Sequence, residues 1–185
     1  MKKIAVFASG SGSNAENIAK YFADSQDVKV ALIVSNNPLA GVHDRANRLR
    51  IPSVTFTNET LAAGSEVVGK LKEYDINLIV LAGYLKKIHG TILNAFPGRI
   101  VNIHPALLPK YGGKGMYGMR VHEAVVAARD GESGITIHYV NENYDEGQII
   151  FQARCPVFPS DTPDDVAAKV HALEYRYYPE VIERI

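Results

Sequence analysis

Short apolar runs recur along the chain and alternate with segments of helical spacing. Continuous apolar runs occur at residues 4–8 and 78–82, and residues 28–34 are apolar apart from Lys29, as expected of parallel strands buried on both faces. A shorter run at residues 54–57 and another around Val101 predict two further strands. Strands that alternate with helices are typical of an α/β fold with a mainly parallel sheet.

The segments between these runs have apolar residues at helical spacing. The first helix is predicted to begin at Ser13, because Ser13 and Glu16 have the Ser-x-x-Glu spacing of a capping box. The other predicted helices cover residues 41–50, 61–74, 89–96, 121–129 and 162–185, the last of them interrupted at Pro179.

The last third of the chain has a different pattern. Residues 134–140 alternate between apolar and polar side chains, which predicts a strand with one polar face. Residues 149–157 predict another strand, and hairpin-like pairing of the two would add an antiparallel edge. We therefore predict one Rossmann-like α/β domain over residues 1–185, a mainly parallel twisted sheet with helices on both faces and an antiparallel edge.

Composition limits the possible functions. The chain has 185 residues, of which 46% are hydrophobic, and its 20 basic and 20 acidic residues give a formal net charge of zero. That balance argues against a general nucleic-acid or membrane-surface binder. Cys155 is the only cysteine, which excludes a disulfide framework and favours a small buried apolar side chain. With neither a signal peptide nor a membrane-spanning run, we expect a cytoplasmic protein.

A glycine-rich turn follows the first predicted strand. It reads Ser-Gly-Ser-Gly-Ser-Asn over residues 9–14 and leads into the first helix. Backbone N–H groups at such a turn, with the helix dipole behind them, form an anion site. The turn matches G-x-G-x-x-[GA], but no acidic residue follows the second strand to hold a ribose, and the Gly-Lys-[Ser/Thr] of a P-loop is absent. A single phosphate fits this turn best.

The central stretch, residues 101–108, carries the candidate chemistry. Asn102 and His104 are two residues apart on a predicted strand, so their side chains share a face. An amide can stabilise an oxyanion, and an imidazole can exchange a proton near neutral pH. The glycine-rich residues 110–120 that follow predict a mobile lid.

These motifs together resemble a known family. The Ser-Gly-Ser-Gly-Ser-Asn turn, the Asn-Ile-His-Pro-Ala-Leu-Leu-Pro element and the later Tyr-Asp-Glu-Gly occur in the order found in the phosphoribosylglycinamide formyltransferases. The resemblance covers residues 3 to about 179. It implies formyl transfer from 10-formyltetrahydrofolate to the amine of glycinamide ribonucleotide in de novo purine biosynthesis. It also implies small-molecule substrates, no metal, and no nucleic-acid or membrane partner.

The resemblance implies roles for individual residues. Asn102 and His104 would stabilise the oxyanion, and Asp145 would orient His104, raise its pKa or relay protons. The glycinamide ribonucleotide would be bound through its phosphate by Gly12, Ser13 and Asn14 and through its ribose by Glu174. The folate pocket, formed largely by backbone groups, would comprise Leu85, Lys86, Lys87, Ile88, Asn141, Glu142, Asn143 and Tyr144. His138 is a candidate neighbour of the Asp145 loop.

The chain departs from the family pattern at three places. Lys86 and Lys87 stand where many relatives carry an arginine, and residues 57–68 contain no arginine to meet a folate glutamate tail. The chain also ends at Ile185, earlier than many relatives. This early end puts a final strand in question, but it does not affect the residues of the site.

Three alternative functions share part of this pattern. A methionyl-tRNA formyltransferase would need an added tRNA-binding domain and a basic face, and a formyltetrahydrofolate hydrolase would carry a regulatory domain. A nucleotide-binding module that uses only the first turn would leave Asn102, His104 and Asp145 without a role. The pattern does not decide between a monomer and a homodimer.

Overall fold

The computed structural model describes all 185 residues. Seven strands and seven helices follow one another along the chain. Their bounds are β1 Lys2–Phe7, α1 Ser13–Tyr21, β2 Val28–Ser35, α2 Val42–Arg48, β3 Ser53–Thr55, α3 Asn58–Ala63, α4 Ser65–Glu73, β4 Leu78–Leu81, α5 Gly90–Ala95, β5 Ile100–His104, α6 Met119–Ala127, β6 Glu132–Tyr139, β7 Ile149–Pro156 and α7 Pro163–Arg184. None of these helices has the length and apolar content needed to cross a membrane.

The strands belong to one seven-stranded sheet in the order β3-β2-β1-β4-β5-β6-β7. Strand β1 pairs in parallel with β2 and β4, β2 with β3, and β4 with β5. Strands β6 and β7 are antiparallel. The predicted α/β fold with a mainly parallel sheet and an antiparallel edge is therefore confirmed.

Two compact units can be distinguished in the chain. Unit 1 comprises residues 1–102 and 140–142, and unit 2 comprises residues 103–139 and 143–185. The single domain expected from the sequence stays a prediction.

Unit 1 is built around apolar strands. The apolar residues of the predicted strands are buried in β1, β2 and β4, whereas Lys29 of β2 is exposed. Phe7 packs edge to face against the ring of Tyr84, with ring centroids 5.5 Å apart. Helices α3, α4 and α5 contribute Leu61, Leu71 and Ile92 to the same core.

Unit 2 is organised by its long terminal helix. Helix α7 packs against α6, β6 and β7, and it begins with a capping box between Thr162 and Asp165. The predicted interruption at Pro179 is wrong, because α7 continues through this residue to Arg184. Pro179 is buried on α7, so packing of the helix offsets the backbone hydrogen bond that proline removes.

Helix α1 begins at Ser13, as predicted, but two other features of the helices in unit 1 differ from the predictions. The capping box at Ser13 is not formed, because Gly12 is the N-cap and Glu16 instead pairs with Lys20 and Arg45. The helix predicted over residues 61–74 is two helices, which are separated at Gly64 with φ of 79°. A left-handed backbone ends a helix, and glycine adopts it at little cost.

The polar face predicted for β6 is buried. Thr136 is fully buried, and its hydroxyl donates to the carbonyl of Ala106 (2.7 Å) while it accepts from the Leu108 N–H (3.0 Å). The Gln152 amide also donates to this hydroxyl (2.9 Å) and to the Leu108 carbonyl (3.1 Å). The segment that follows β5 is thereby fixed to the β6–β7 hairpin.

Candidate active site

Strand β5 carries the two candidate residues of the central stretch. Asn102 is half-buried, and His104, two positions further along the strand, is 4% exposed. Alternate residues of a strand point to the same face. The strand therefore presents an amide and an imidazole side by side at its carboxyl end, where α/β sheets bind their ligands.

Both ring nitrogens of His104 face oxygen atoms. Nε2 lies 2.7 Å from the carbonyl oxygen of Tyr111, and Nδ1 lies 3.5 Å from Oδ2 of Asp145. Because a carbonyl oxygen only accepts hydrogen bonds, Nε2 carries the hydrogen in this contact. Nδ1 is then the nitrogen that can gain or lose a proton beside the carboxylate.

Asp145 lies between two imidazoles. Its Oδ1 is 3.6 Å from Nε2 of His138, whose Nδ1 is 2.9 Å from the carbonyl oxygen of Tyr139. The Gly113 N–H donates to Oδ2 of Asp145 at 2.9 Å. Asp145 itself has a left-handed backbone with φ of 57°, a conformation that aspartate tolerates better than most residues.

Burial dominates the electrostatics of His104. Removal from water lowers the pKa of His104 below its usual value, although the Asp145 carboxylate and the Tyr111 carbonyl act in the opposite direction. The expected net increase in this pKa is therefore wrong, because the sequence indicated the nearby charge but not the extent of burial. His104 is therefore neutral at neutral pH before substrates bind.

Asp145 remains ionised despite its burial. Burial alone would raise the pKa of Asp145, but the contacts with His138, His104 and the Gly113 N–H together hold it below the usual value. The site therefore pairs a neutral imidazole with a carboxylate at neutral pH. This arrangement allows the imidazole to take up a proton when one is released nearby.

The first turn, residues 9–14, lies in unit 1. Gly12 has φ of 75° and lies so close to Val42 that a Cβ would collide with the valine side chain. Helix α2 holds this turn, since the Val42 N–H donates to the Gly10 carbonyl (3.1 Å) and Arg45 Nε donates to the Ser11 carbonyl (2.7 Å). Gly12 and the first residues of α1, Ser13 and Asn14, form the N-terminal end of that helix. Their phosphate-binding role stays a prediction.

The predicted folate residues occur in both units. Ser9 connects the first turn to the loop after β4, because its hydroxyl donates to Asn36 Oδ1 (2.7 Å) and accepts from the Leu85 N–H (3.0 Å). In that loop Lys86 and Lys87 are exposed and Ile88 is buried. Asn141 and Glu142 belong to unit 1, Asn143 and Tyr144 belong to unit 2, and all four are exposed.

Glu174 lies on α7 and is 6% exposed. A fully solvated helix acid is therefore excluded for this residue. One turn further, Tyr178 is completely buried, and burial together with the Glu174 charge holds the pKa of its hydroxyl well above the usual value. The proposed ribose contact of Glu174 stays a prediction.

The structure places no group of three or more His, Cys, Asp or Glu side chains where they could hold a metal ion. Two contacts of the site were not predicted from the sequence, the Tyr111 carbonyl on His104 and the Gly113 N–H on Asp145. Both are backbone groups of the segment that we had interpreted as a lid. No side-chain pattern could have indicated them, because every residue carries the same backbone groups.

Comparisons with known proteins match the chain over its whole length. The formyl transferase family matches residues 2–182. The chain is 43% identical over 190 residues to the chloroplastic phosphoribosylglycinamide formyltransferase of Arabidopsis thaliana, covering all of this chain and 65% of that protein. It is 40% identical to the Bacillus subtilis phosphoribosylglycinamide formyltransferase, covering 100% of this chain and 95% of that protein.

A solved structure gives the same result for the fold. The crystal structure of phosphoribosylglycinamide formyltransferase from Streptococcus pneumoniae TIGR4 matches with a TM-score of 0.88 and 41% identity, covering 100% of this chain and 98% of that chain. The family predicted from the sequence motifs is confirmed. This chain belongs to the formyl transferase family and, within it, to the phosphoribosylglycinamide formyltransferases.

Proposed function

We propose that this chain transfers the formyl group of 10-formyltetrahydrofolate to the amine of glycinamide ribonucleotide, a step of de novo purine biosynthesis. The observation that carries the proposal is the buried pair of His104 and Asp145, 3.5 Å apart, on a chain of this family. The chain spans 65% of the length of its Arabidopsis relative, so the proposal concerns the activity of the chain itself.

The proposed reaction begins with attack of the substrate amine on the formyl carbon. A carbon–nitrogen bond forms, the formyl oxygen becomes an oxyanion, and the attacking nitrogen carries an extra proton. The Asn102 amide N–H would stabilise the oxyanion, as side-chain amides do in other acyl-transfer sites. This contribution does not titrate, because an amide has no ionisable proton near neutral pH.

Proton transfer completes the proposed reaction. Nδ1 of His104, which is neutral before substrates bind, would take the extra proton from the nitrogen, and the adjacent Asp145 carboxylate would stabilise the imidazolium that forms. The positive charge of this imidazolium would add to the stabilisation of the oxyanion by Asn102. The tetrahedral intermediate would then break its bond to N10 of the folate, which receives the proton as it leaves. The products are formylglycinamide ribonucleotide and tetrahydrofolate.

Substrate binding is assigned to three sets of residues. The backbone N–H groups of Gly12, Ser13 and Asn14 would hold the phosphate at the start of α1. Glu174 would bind the ribose hydroxyls. The pterin would be held by Leu85, Lys86, Lys87, Ile88, Asn141, Glu142, Asn143 and Tyr144. Cytoplasmic location, the absence of nucleic-acid and membrane partners, and the choice between monomer and homodimer stay predictions.

The test measures tetrahydrofolate release by purified protein with both substrates and no nucleoside triphosphate or magnesium. We expect turnover that requires glycinamide ribonucleotide and produces one formylated nucleotide for each tetrahydrofolate. Release of tetrahydrofolate without the nucleotide would indicate a hydrolase. Formylation of methionyl-tRNA in place of the nucleotide would also overturn the proposal, and so would a strict requirement for formate, ATP and magnesium.

A further inference from the structure

A single turn contacts both members of the His104–Asp145 pair. This Tyr111 turn, residues 110–113, accepts the His104 Nε2 hydrogen bond through the Tyr111 carbonyl (2.7 Å) and donates from the Gly113 N–H to Asp145 (2.9 Å). Tyr111 has φ of 56°, a left-handed conformation that is unfavourable for a bulky residue and persists only when its surroundings hold it. Some contact must therefore keep Tyr111 in place.

The side chain of Tyr111 supplies that contact. Its hydroxyl donates to Oδ2 of Asp130 at 2.7 Å, and Lys110 Nζ donates to both carboxylate oxygens of Asp130 at 2.7 Å. Hydrogen bonds from Lys110 and Tyr111 hold the pKa of Asp130 below its usual value. Asp130 is therefore an ionised acceptor at neutral pH, and hydrogen bonds to ionised acceptors are stronger than those between neutral groups.

Asp130 is itself fixed by the end of a helix. It follows α6, and its N–H donates to the Val125 carbonyl at 3.2 Å. The Asp130 side chain is 18% exposed, whereas that of Lys110 is 61% exposed. Water screens an exposed ion pair, whereas the Tyr111 side chain is half-buried, so its hydroxyl gives the turn a link to Asp130 that water screens less.

We infer that Tyr111 and Asp130 are positioning residues, which hold the Tyr111 carbonyl against Nε2 of His104 and so fix the tautomer and orientation of that ring. The inference rests on the proposed function, in which His104 transfers the proton. Neither residue touches the reacting atoms in this arrangement. Both act through the imidazole, which is left with Nδ1 free of hydrogen on the side of Asp145.

The charged and titratable groups near His104 determine how the contact with the Tyr111 carbonyl should affect the pKa of the ring. Asp145 lies 3.5 Å from Nδ1, and the charges of His138 and His122 also act on the ring. Both forms of the ring donate from Nε2 to the Tyr111 carbonyl, and this contact favours the protonated imidazole because a charged donor makes the stronger hydrogen bond. Loosening this contact should lower the pKa of His104 while Asp145, His138 and His122 remain in place.

The main test compares Tyr111→Phe with Tyr117→Phe. The first removes the hydroxyl bonded to Asp130 and keeps the ring; the second removes an exposed hydroxyl on the same glycine-rich segment. Nitrogen-15 spectra of histidine-labelled protein without substrates, with His104 assigned by its loss in His104→Gln, report the tautomer directly. We expect neutral His104 to carry its hydrogen on Nε2 in wild type and Tyr117→Phe, and on a mixture of both nitrogens in Tyr111→Phe.

Kinetics supply the second readout. Tyr111→Phe should lower kcat about tenfold, with KM within about twofold, because a misplaced catalytic group slows the chemical step more than it weakens binding. The limb of the pH–rate profile that belongs to His104 should move to lower pH. Tyr117→Phe should match wild type in both measurements.

A conservative pair of variants tests the acceptor. The amide oxygen of Asp130→Asn still accepts from the Tyr111 hydroxyl, whereas Asp130→Ala leaves no acceptor. We expect Asp130→Asn to keep most of the wild-type tautomer and Asp130→Ala to resemble Tyr111→Phe.

Two results would overturn the inference: neutral His104 protonated on Nδ1 in wild type, or an unchanged tautomer and titration in both Tyr111→Phe and Asp130→Ala. The spectra need no substrate, so they separate this inference from the proposed function. If the wild-type protein gave the expected spectra but transferred no formyl group, the positioning role of Tyr111 and Asp130 would stand and the proposed activity would be rejected.

Discussion

The first turn and the Tyr111 turn differ in the groups that they present and in the contacts that fix their shape. The first turn, residues 9–14, contains no titratable side chain, and its shape is set by Gly12 packed against Val42. The Tyr111 turn contacts a buried imidazole and a carboxylate, and its shape is set by a tyrosine bonded to Asp130. One turn offers fixed N–H groups, and the other controls where a proton resides.

This difference predicts separable effects on the reaction. Binding of an anion by backbone N–H groups depends on shape and is largely independent of pH. Proton transfer depends on burial and nearby charge, and both enter through a pKa. Changes at the first turn should therefore alter KM, whereas changes around His104 should alter kcat and its pH dependence.

The largest effect is expected for Asn102→Ala. Removal of one oxyanion donor typically lowers kcat by about 10² to 10³, and the pH profile should not move because the amide does not titrate. Steady-state kinetics over a pH series measure both quantities. Asn47→Ala, at an exposed position of α2, is the control, and a kcat within a few-fold of wild type for Asn102→Ala would remove Asn102 from the active site.

Asp145→Asn should lower kcat by about 10², within the range of general acid–base contributions. The carboxylate raises the pKa of His104 against the effect of burial, so its removal should lower that pKa further. The corresponding limb of the pH–rate profile should move to lower pH. A slow variant with an unmoved profile would mean that Asp145 does not act through the imidazole.

Gly12→Ala tests the first turn. The added Cβ would meet Val42 in a backbone with φ of 75°, so the N–H groups should shift and KM for the nucleotide should increase about tenfold to hundredfold while kcat changes little. The control is Gly69→Ala on α4, where an added Cβ has open space.

Calorimetry with the dephosphorylated riboside sharpens this third prediction. Wild type should bind the riboside far more weakly than the nucleotide, and Gly12→Ala should reduce that difference. Equal binding of the two ligands by wild type would show that the first turn does not hold the phosphate.

The smallest effect is an acid sensitivity expected from unit 2. His122 is 1% exposed, its Nδ1 has no hydrogen-bond partner, and burial with the nearby His171 lowers its pKa to about 4. The unfolded state therefore binds a proton first as pH falls, and the stability given by neutral His122 is lost from about pH 6.5 downward. Between pH 7 and pH 6 the free energy of unfolding should fall by ~0.7 kcal/mol through this residue.

Denaturant titrations of wild type and His122→Leu check this value. In His122→Leu the free energy of unfolding should fall by less between pH 7 and pH 6 than in wild type. His89→Leu, at an exposed position, should show the same fall as wild type. The same pH dependence in His122→Leu and wild type would assign the acid sensitivity to other groups.

The sequence predicted those parts of the fold that depend on local patterns. The apolar runs of β1, β2 and β4, the β6–β7 hairpin and the glycine turn before α1 could all be recognised, because each depends on neighbouring residues. The break at Gly64 was missed, since a glycine within a helical pattern does not reveal its φ angle.

The candidate site was predictable to a smaller extent. The sequence indicated Asn102, His104 and Asp145 as residues of interest, although their proposed roles are still to be tested. It could not predict that Tyr111 would contact His104 through its carbonyl. Nor could it predict the lowered pKa of His104, because that direction depends on burial that only the folded chain creates.

The Thr136 hydroxyl has a consequence for the segment that follows β5. This hydroxyl uses its donor and both acceptor sites on Ala106, Leu108 and Gln152. Valine has the same shape as threonine but would leave those three polar groups without this partner in a buried place. Residues 105–108 are irregular in secondary structure, yet the amide hydrogen of Leu108 should exchange with solvent as slowly as those of a central strand, and Thr136→Val should make it exchange faster.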